Sequence, residues 1–259
     1  MAGAARNHPA DGSEPGGMSD ARPTRLYKHR LPTRVWHWIN AVTIFVMLGS
    51  GLMILNAHPM LYWGDYGANF DQPWFRVSWV FEGGRVPGWL TIPSTYNLAL
   101  ARRWHFTFAL ILGFALLGFM LFSLINRHFA RDLRIRAAEV APSHLWHDVK
   151  EHLALRFHDP ANPIAFNVLQ KIAYASILFG ALPLIIFTGL AMSPGMVSAW
   201  PFLNEIFGGR QSARSIHFIA AMGIALFIIV HLTLVILAGP IREVRSMITG
   251  WWHAPKGGH

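Results

Sequence analysis

Four histidines lie in or at the ends of the long apolar segments of this chain: His37, His105, His217 and His231. A histidine at a helix end is common. An ionisable side chain deep in an apolar segment is costly, and it is a functional candidate by default. Because neutral imidazole is also a common metal ligand, these four side chains are the first candidates for chemistry.

The spacing of the last two histidines is informative. His217 and His231 are 14 residues apart in one apolar segment. In a helix that rises about 1.5 Å per residue, they are separated by roughly 21 Å, most of the hydrocarbon thickness of a bilayer. At about 100° per residue, 14 steps fall about 40° short of four full turns. Both imidazoles are therefore predicted on nearly the same helix face, one near each membrane surface.

Four segments must position these side chains. The chain is 53% hydrophobic and only 14% charged, whereas a soluble domain usually has about a quarter of charged residues. Asp, Glu, Lys and Arg are absent from four blocks, each longer than the roughly 20 residues that span a bilayer. The sequence therefore predicts an all-α integral membrane four-helix bundle and excludes a soluble globular fold. The predicted spans are about 35–56, 104–126, 172–192 and 215–238.

The distribution of positive charge predicts the topology. Of the 22 Lys and Arg residues, 16 lie in the N-terminal segment, the loop 127–171 and the C-terminal tail. Such an excess is typical of cytoplasmic segments. Both termini are therefore predicted to be cytoplasmic, with a long loop between helices 1 and 2 on the opposite, outer side of the membrane. The net charge of +9 is attributed to this topology, and no nucleic-acid partner is expected.

Outside the spans the sequence says less. Residues 1–22 have the composition of a disordered cytosolic leader, and 23–259 are predicted to form one domain. The aromatic residues of loop 56–103 are consistent with an interfacial belt, or with a folded cap that covers a cofactor or docks a partner. His144, His147 and His152 resemble a metal cluster only superficially, and their segment is predicted to be an amphipathic helix on the membrane surface.

Successive spans cross the membrane in opposite directions, so each histidine falls near one of the two membrane surfaces. These two positions are here called the outer and the inner level. His105 and His217 fall on the outer level, and His37 and His231 on the inner level. Neighbouring helices can direct such pairs at each other across a bundle core. The chain has no cysteine, and zinc would require further ligands. We therefore predict two b-type haems with bis-histidine ligation; the alternative is four unrelated interfacial or core histidines.

Three arginines precede candidate ligands by two or three residues: Arg34, Arg103 and Arg214. Haem propionates need charge-assisted partners near the membrane interface, and these arginines are candidates for that role. Ordinary positive flanking of a membrane span explains them equally well.

The pattern resembles the four-helix di-haem cytochrome b subunits of membrane-bound formate dehydrogenases and nickel–iron hydrogenases, in the bacterial cytochrome b561-like group. The likeness rests on R-x-x-H-W at Arg34 to Trp38, on His105 at the start of helix 2, and on the H-x13-H pair of helix 4. It covers about residues 25–250. The "HPMLYWG" segment is similar to the thiosulfate-reductase-type branch, which is often found with molybdenum oxidoreductases.

This resemblance also implies a quinone site. In the formate dehydrogenase relatives an Asn in an N-x-x-Q-K element before helix 3 lies at the quinone site. Here that element supplies Asn167, Gln170 and Lys171, and Asn167 and Lys171 are the quinone-contact candidates. An ordinary polar start to a span is the alternative. The long outer loop departs from the short hydrogenase-type subunits, so the partner can differ.

The resulting hypothesis is a cytochrome b subunit of an oxidoreductase complex, with no catalysis of its own beyond quinone redox. It would carry electrons across the inner membrane between quinone and a periplasmic or membrane-attached partner of molybdoenzyme or hydrogenase type. The alternatives are a stand-alone quinone-reducing cytochrome b and a non-haem proton-coupled transporter. The spans contain no carboxylate of the kind that proton pathways usually include, which argues against the transporter.

Overall fold

The fold was analysed in a computed structural model of the chain, which describes residues 25–68, 70–127, 141–153 and 168–253. The described residues are mainly helical, with two short two-stranded sheets. The helices are α1 (Leu31–Leu55), α2 (Leu98–Ile125), α3 (Pro142–Leu153), α4 (Val168–Ala191), α5 (Pro194–Ala199), α6 (Phe202–Ile206), α7 (Arg210–Ala238) and α8 (Pro240–Thr249). The strands are β1 (Arg25–Tyr27), β2 (Met60–Leu61), β3 (Phe75–Arg76) and β4 (Trp251–His253).

Four of these helices, α1, α2, α4 and α7, are long and apolar enough to cross a membrane, which confirms the predicted number of spans. Each begins several residues before its predicted span. The predicted spans excluded charged residues, but a charged residue in the first turn does not prevent a helix from forming. A long basic side chain in that turn can extend to the membrane interface. The starts are instead marked by Pro32 in the first turn of α1 and by Asn97, whose side chain caps α2 by accepting from the Leu100 N–H at 2.9 Å.

The four spans form two helix pairs. Close backbone approaches link α1 with α2 and α4 with α7, and the described helices show few between the two pairs. Trp36 stacks on Phe119 at one end of the first pair, and Ser50 contacts His105 at the other, so α1 and α2 run antiparallel. A seam therefore separates the α1–α2 pair from the α4–α7 pair.

Apolar side chains fill the middle of this seam. The cluster contains residues from α2, α4 and α7, with Trp36 and Ile44 of α1 packed against it. Burial of such side chains holds the pairs together by close packing. The buried members are Leu112, Leu116, Phe119, Leu178, Leu182, Ile185, Ala220 and Ile224.

Helix α4 contains one turn of π-helix, Ser176–Ala181, immediately before Pro183. Proline cannot donate its backbone nitrogen and crowds the preceding turn. A wider turn at this position accommodates both effects within a continuous membrane helix. Pro183 is therefore accommodated within a continuous span, and the π turn is a local adjustment that the sequence alone did not predict.

The end of the bundle that bears residues 56–97 is here named the loop end. There the first residues of α7 have no side-chain cap, and the loop supplies one from its backbone. The Gly64 carbonyl accepts from the N–H groups of Gln211 at 3.0 Å and Ser212 at 3.1 Å. The Gly64 N–H donates to the Ser212 hydroxyl at 2.7 Å. The loop thus satisfies backbone donors that every helix start leaves free.

Side chains of α7 anchor the same loop. Arg214 donates to the carbonyls of His58 and Met60. Ser215 donates to the Tyr62 carbonyl at 2.5 Å and accepts from the Trp74 indole at 2.8 Å. The segment is therefore folded onto the start of α7, as expected for a folded cap, the second of the two interpretations of its aromatic residues. Its proposed role as a cofactor cover or docking site stays a prediction.

The opposite end, here named the terminus end, is closed by the chain ends. Strand β1 pairs antiparallel with β4, which places Leu26 opposite Trp252. Glu243 of α8 accepts from the Trp252 indole at 3.0 Å and forms an ion pair with Lys28 at 3.5 Å. Trp252 is only 2% exposed. These contacts fasten the chain ahead of α1 to the chain beyond α7.

Burial within this closure gives His29 an unusual titration. Desolvation, with a smaller contribution from Lys28, lowers the pKa of His29 from 6.5 to about 4. Because the unfolded chain then binds more protons than the folded one between these values, stability is expected to fall as the pH drops from 6.5 towards 4. Melting temperatures of the purified protein across this range should decline less steeply for His29→Gln, whereas the exposed-site control His58→Gln should follow the wild type. An unchanged slope in His29→Gln would contradict this assignment.

Candidate functional site

The first histidine pair bridges the seam at the loop end. His105 lies in the third turn of α2 and His217 in the third turn of α7, on helices from different pairs. Their ring centroids are 6.2 Å apart, and the ring planes are inclined by 57°. The structure therefore brings together the two residues predicted as the outer ligands.

The second pair bridges the seam at the terminus end. His37 lies near the start of α1 and His231 in the second half of α7. Their ring centroids are 6.4 Å apart, with the planes inclined by 59°. Phe227, one turn before His231, stacks on its ring at 5.8 Å. The sorting of the four histidines into two levels therefore agrees with where their rings lie.

The separation within each pair fits axial ligation of one metal centre. A metal–imidazole bond is about 2 Å long and the ligating nitrogen lies about 1 Å from its ring centre, so two axial imidazoles have centroids roughly 6 Å apart. The seam around them is lined by apolar side chains. Among the described residues no group of three or more His, Cys, Asp or Glu side chains could hold a metal ion. The donor set thus fits a haem held by two imidazoles, with the porphyrin supplying the remaining ligands.

Both loop-end histidines have a partner that sequence reasoning missed. The Ser50 hydroxyl lies 3.0 Å from His105 Nδ1, and the Thr188 hydroxyl lies 3.0 Å from His217 Nδ1. A glycine follows each hydroxyl residue, and it packs against the imidazole that the hydroxyl contacts: Gly51 against His105 and Gly189 against His217. The only sequence signal is a hydroxyl–glycine dipeptide near the predicted outer end of spans 1 and 3. Such dipeptides are common in membrane helices.

The three arginines predicted to meet propionates have different surroundings. Arg34 donates to the Ile248 carbonyl, while its buried Nε has no hydrogen-bond partner in the part of the chain that the structure describes. Arg214 is committed to the loop carbonyls of His58 and Met60, and Arg103 is exposed. Arg34 therefore lies three residues before a predicted ligand, His37, with a buried donor that has no acceptor among the described residues.

The quinone candidates are only partly described. Asn167 lies outside the described residues. Lys171 is half-buried in the first turn of α4, at the terminus end. Tyr174, one turn further, is close enough to Glu243 of α8 for an electrostatic interaction. The start of α4 is therefore next to the polar closure formed by the chain ends.

The segment that carries His144, His147 and His152 forms helix α3, as predicted. The Val168 N–H donates to the Asp148 carboxylate at 3.3 Å, so α3 contacts the beginning of α4. The side chains of His147 and His152 lie outside the described part of the structure. The placement of α3 on a membrane surface stays a prediction.

Comparison with known proteins gives a consistent family. The family model described as prokaryotic cytochrome b561 matches residues 28–250. A Ni/Fe-hydrogenase B-type cytochrome subunit of Cupriavidus necator is 24% identical over 93% of this chain and 93% of its own length. YedZ1 of Azospira oryzae, named as a protein-methionine-sulfoxide reductase subunit, is 27% identical over 84% of this chain and 93% of its own. The cytochrome YdhU of Escherichia coli is 27% identical over 88% of this chain and 74% of its own length.

No solved structure matches the chain significantly. The family match alone covers most of the chain, and it includes all four histidines that face each other across the seam. The resemblance to the cytochrome b561-like group is therefore confirmed. The chain belongs to the prokaryotic cytochrome b561 family, a multi-pass membrane cytochrome b of electron transport, whose membership implies a b-type haem.

Proposed function

We propose that this chain is the membrane-anchoring di-haem cytochrome b of an oxidoreductase complex and carries electrons between quinone and a partner subunit. The observation that supports it most directly is the geometry of the two histidine pairs, with ring centroids 6.2 Å and 6.4 Å apart. Each separation suits two imidazoles on one iron.

In this proposal His105 and His217 hold the loop-end haem, and His37 and His231 hold the terminus-end haem. A bound b-type haem supplies one-electron chemistry by cycling between ferric and ferrous iron. The protein contributes the ligands, the apolar surroundings and the fixed separation of the two levels. The Nε of Arg34 is buried and has no acceptor among the described residues. This makes Arg34 the best supported of the three propionate candidates, since buried donors normally find an acceptor.

The orientation is proposed from charge. The N-terminal segment, the loop 127–171 and the C-terminal tail carry 16 of the 22 Lys and Arg residues, and segments rich in these residues stay cytoplasmic in inner-membrane proteins. The loop end then faces the periplasm, and both chain termini face the cytoplasm. The haem between His105 and His217 becomes the periplasmic one in a bacterial inner membrane.

We place the quinone site at the terminus end, beside the start of α4. Lys171 is half-buried there, and Asn167 precedes it in the N-x-x-Q-K element. Interconversion of quinone and quinol moves two electrons and two protons, so such a site needs polar groups as well as a haem. The nearby Tyr174, Glu243 and Lys28 provide a polar environment on the same side as the His37–His231 pair.

A redox partner is proposed at the loop end. The relatives named as hydrogenase B-type cytochrome subunits and as a sulfoxide reductase subunit suggest a partner of hydrogenase or sulfoxide-reductase type. A molybdoenzyme is proposed as the other possibility from the resemblance of the "HPMLYWG" segment alone. The folded loop presents several large aromatic side chains to solvent, including Trp89 at 80% and Tyr66 at 88% exposure. Exposed aromatic residues of this kind are enriched at protein interfaces.

The proposed function is tested with the purified protein in detergent. A dithionite-reduced minus oxidised optical spectrum should show b-type bands, and haem extraction should give two haems per chain. Addition of a quinol analogue should reduce part of the haem without another protein. Absence of b-type absorption, or a haem content of one or less in undamaged protein, would overturn the di-haem proposal.

A further inference from the structure

The two loop-end histidines are supported in the same way by the helix next to their own. Ser50 of α1 contacts His105 of α2, and Thr188 of α4 contacts His217 of α7, each through a hydroxyl 3.0 Å from Nδ1. Both hydroxyl residues are fully buried, at 0% exposure. One arrangement is therefore built twice, once within each helix pair.

The other bonds of these hydroxyls determine the direction of the contact. Ser50 Oγ donates to the Val46 carbonyl at 2.7 Å, and Thr188 Oγ1 donates to the Leu184 carbonyl at 2.7 Å. A hydroxyl has one proton to donate. Each oxygen must therefore accept from the histidine, which assigns the proton to Nδ1. The lone pair of Nε2 is then left for a metal.

A glycine beside each hydroxyl seats the imidazole ring. A Cβ added at Gly51 would lie 3.3 Å from His105 Cε1, and one added at Gly189 would lie 3.5 Å from His217 Cε1. The rings therefore pack against these helices where a side chain would crowd them. The hydroxyl and the glycine together fix both the protonation and the tilt of each ring.

The terminus-end pair is built differently. The Nδ1 atom of His37 is buried and has no hydrogen-bond partner among the described residues. A metal-bound imidazole that donates its other N–H becomes a more basic ligand. A ligand of this kind stabilises the ferric over the ferrous state, because the oxidised iron gains more from electron donation.

We propose that Ser50 and Thr188 are positioning residues that hold the loop-end imidazoles as Nδ1-protonated tautomers and lower the reduction potential of the haem bound there. The inference rests on the proposed di-haem function. The terminus-end haem, whose His37 has no such acceptor, then has the higher potential. Electrons pass downhill from the loop end to the terminus end, which favours quinone reduction with electrons from the partner.

The test uses single-haem proteins, so that each potential belongs to one haem. In the His231→Ala background only the loop-end haem is expected to remain, and its potential is measured by optical redox titration. Thr188→Val is nearly isosteric and removes the hydroxyl acceptor of His217, while the backbone contact of His217 with Ile185 is kept. The substitution should raise the equilibrium constant for reduction of the loop-end haem about threefold to tenfold, which is the contribution of one hydrogen bond. A tenfold change corresponds to a rise of about 59 mV in the reduction potential. Ser50→Ala should act in the same direction, and Thr188→Ser should restore the wild-type potential.

Two controls separate tuning from general disturbance. Thr233 makes the same bond to its own helix, donating to the Ile229 carbonyl at 2.8 Å, but is exposed, so Thr233→Val should leave the potential unchanged. In the His105→Ala background, Thr188→Val should not move the potential of the terminus-end haem. A loop-end haem that binds normally with the same potential in Thr188→Val and Thr188→Ser overturns this inference alone. Failure of the parent backgrounds to retain one haem overturns the proposed function instead.

Discussion

Purified His217→Ala protein is expected to contain one b-type haem per chain instead of two, and His105→Ala should have the same content. Each substitution would remove one of two proposed haem ligands, whose ring centroids are 6.2 Å apart. His37→Ala and His231→Ala should likewise lose one haem, but the other one. Haem extraction measures how many haems remain in each variant, and the reduced-minus-oxidised spectrum shows which of the two haems remains.

Double substitutions make this prediction specific to the pairing. His105→Ala with His217→Ala damages one level only and should still leave one haem. His105→Ala with His37→Ala damages both levels and should leave none. The exposed histidines His58 and His144 provide matched controls, since their alanine variants should retain two haems. Equal haem content in the two kinds of double variant would contradict the assigned pairs.

The pairing also bears on how electrons could cross the membrane. Along α7 the two levels are 14 residues apart, roughly 21 Å of helix, and the side chains between them are apolar. Hydrocarbon offers no redox-active group, so the two proposed haems would have to bridge most of this span. The apolar cluster excludes water from the seam and holds the two levels at a fixed distance.

Much of this arrangement was predictable because it follows from helix geometry. The absence of charge in four blocks predicts four spans, and their alternating direction sorts His37, His105, His217 and His231 into two levels. The 14-residue spacing places two of them on one face of α7. The resulting pairs match the rings found 6.2 Å and 6.4 Å apart.

The support of the ligands could not be predicted in the same way. Ser50 and Thr188 reach their histidines across helix–helix contacts, and sequence spacing within one helix carries no information about which neighbour a side chain meets. Their hydroxyls could equally have bonded only to their own backbone, as Thr233 does. The pairing of helices, and with it the seam, depends on tertiary packing.

The loop end was the least predictable part. Composition left open whether its aromatic residues form a belt or a folded cap, because both use the same residue types. The deciding contacts are backbone groups: the Gly64 carbonyl accepts from the N–H groups of Gln211 and Ser212. Backbone contacts of this kind leave little trace in a single sequence. Their importance is nevertheless open to direct test through one glycine.

Gly209→Ala is expected to destabilise the protein strongly. Gly209 has φ of +105°, where a side chain is strained, and an added Cβ would lie 2.6 Å from the Gly64 carbonyl group and 2.5 Å from Asp65 Oδ1. Strain of this type costs about 1–2 kcal/mol, and displacing Gly64 would also free the backbone donors that it caps. We expect the melting temperature to be lower by about 5–10 °C. Unfolding is monitored by tryptophan fluorescence, at one scan rate for all variants.

Two other glycines separate the causes. Gly83 also has a positive φ, +78°, with ψ of 0°, and nothing lies within 4 Å of its added Cβ, so Gly83→Ala measures the cost of a positive φ without a clash. Gly113 is helical with open space around it, and Gly113→Ala should melt like the wild type, since alanine favours a helix. If the clash with the loop matters, the melting temperature must fall further in Gly209→Ala than in Gly83→Ala. Equal melting of those two variants would mean that the contact between Gly64 and the start of α7 contributes little to stability.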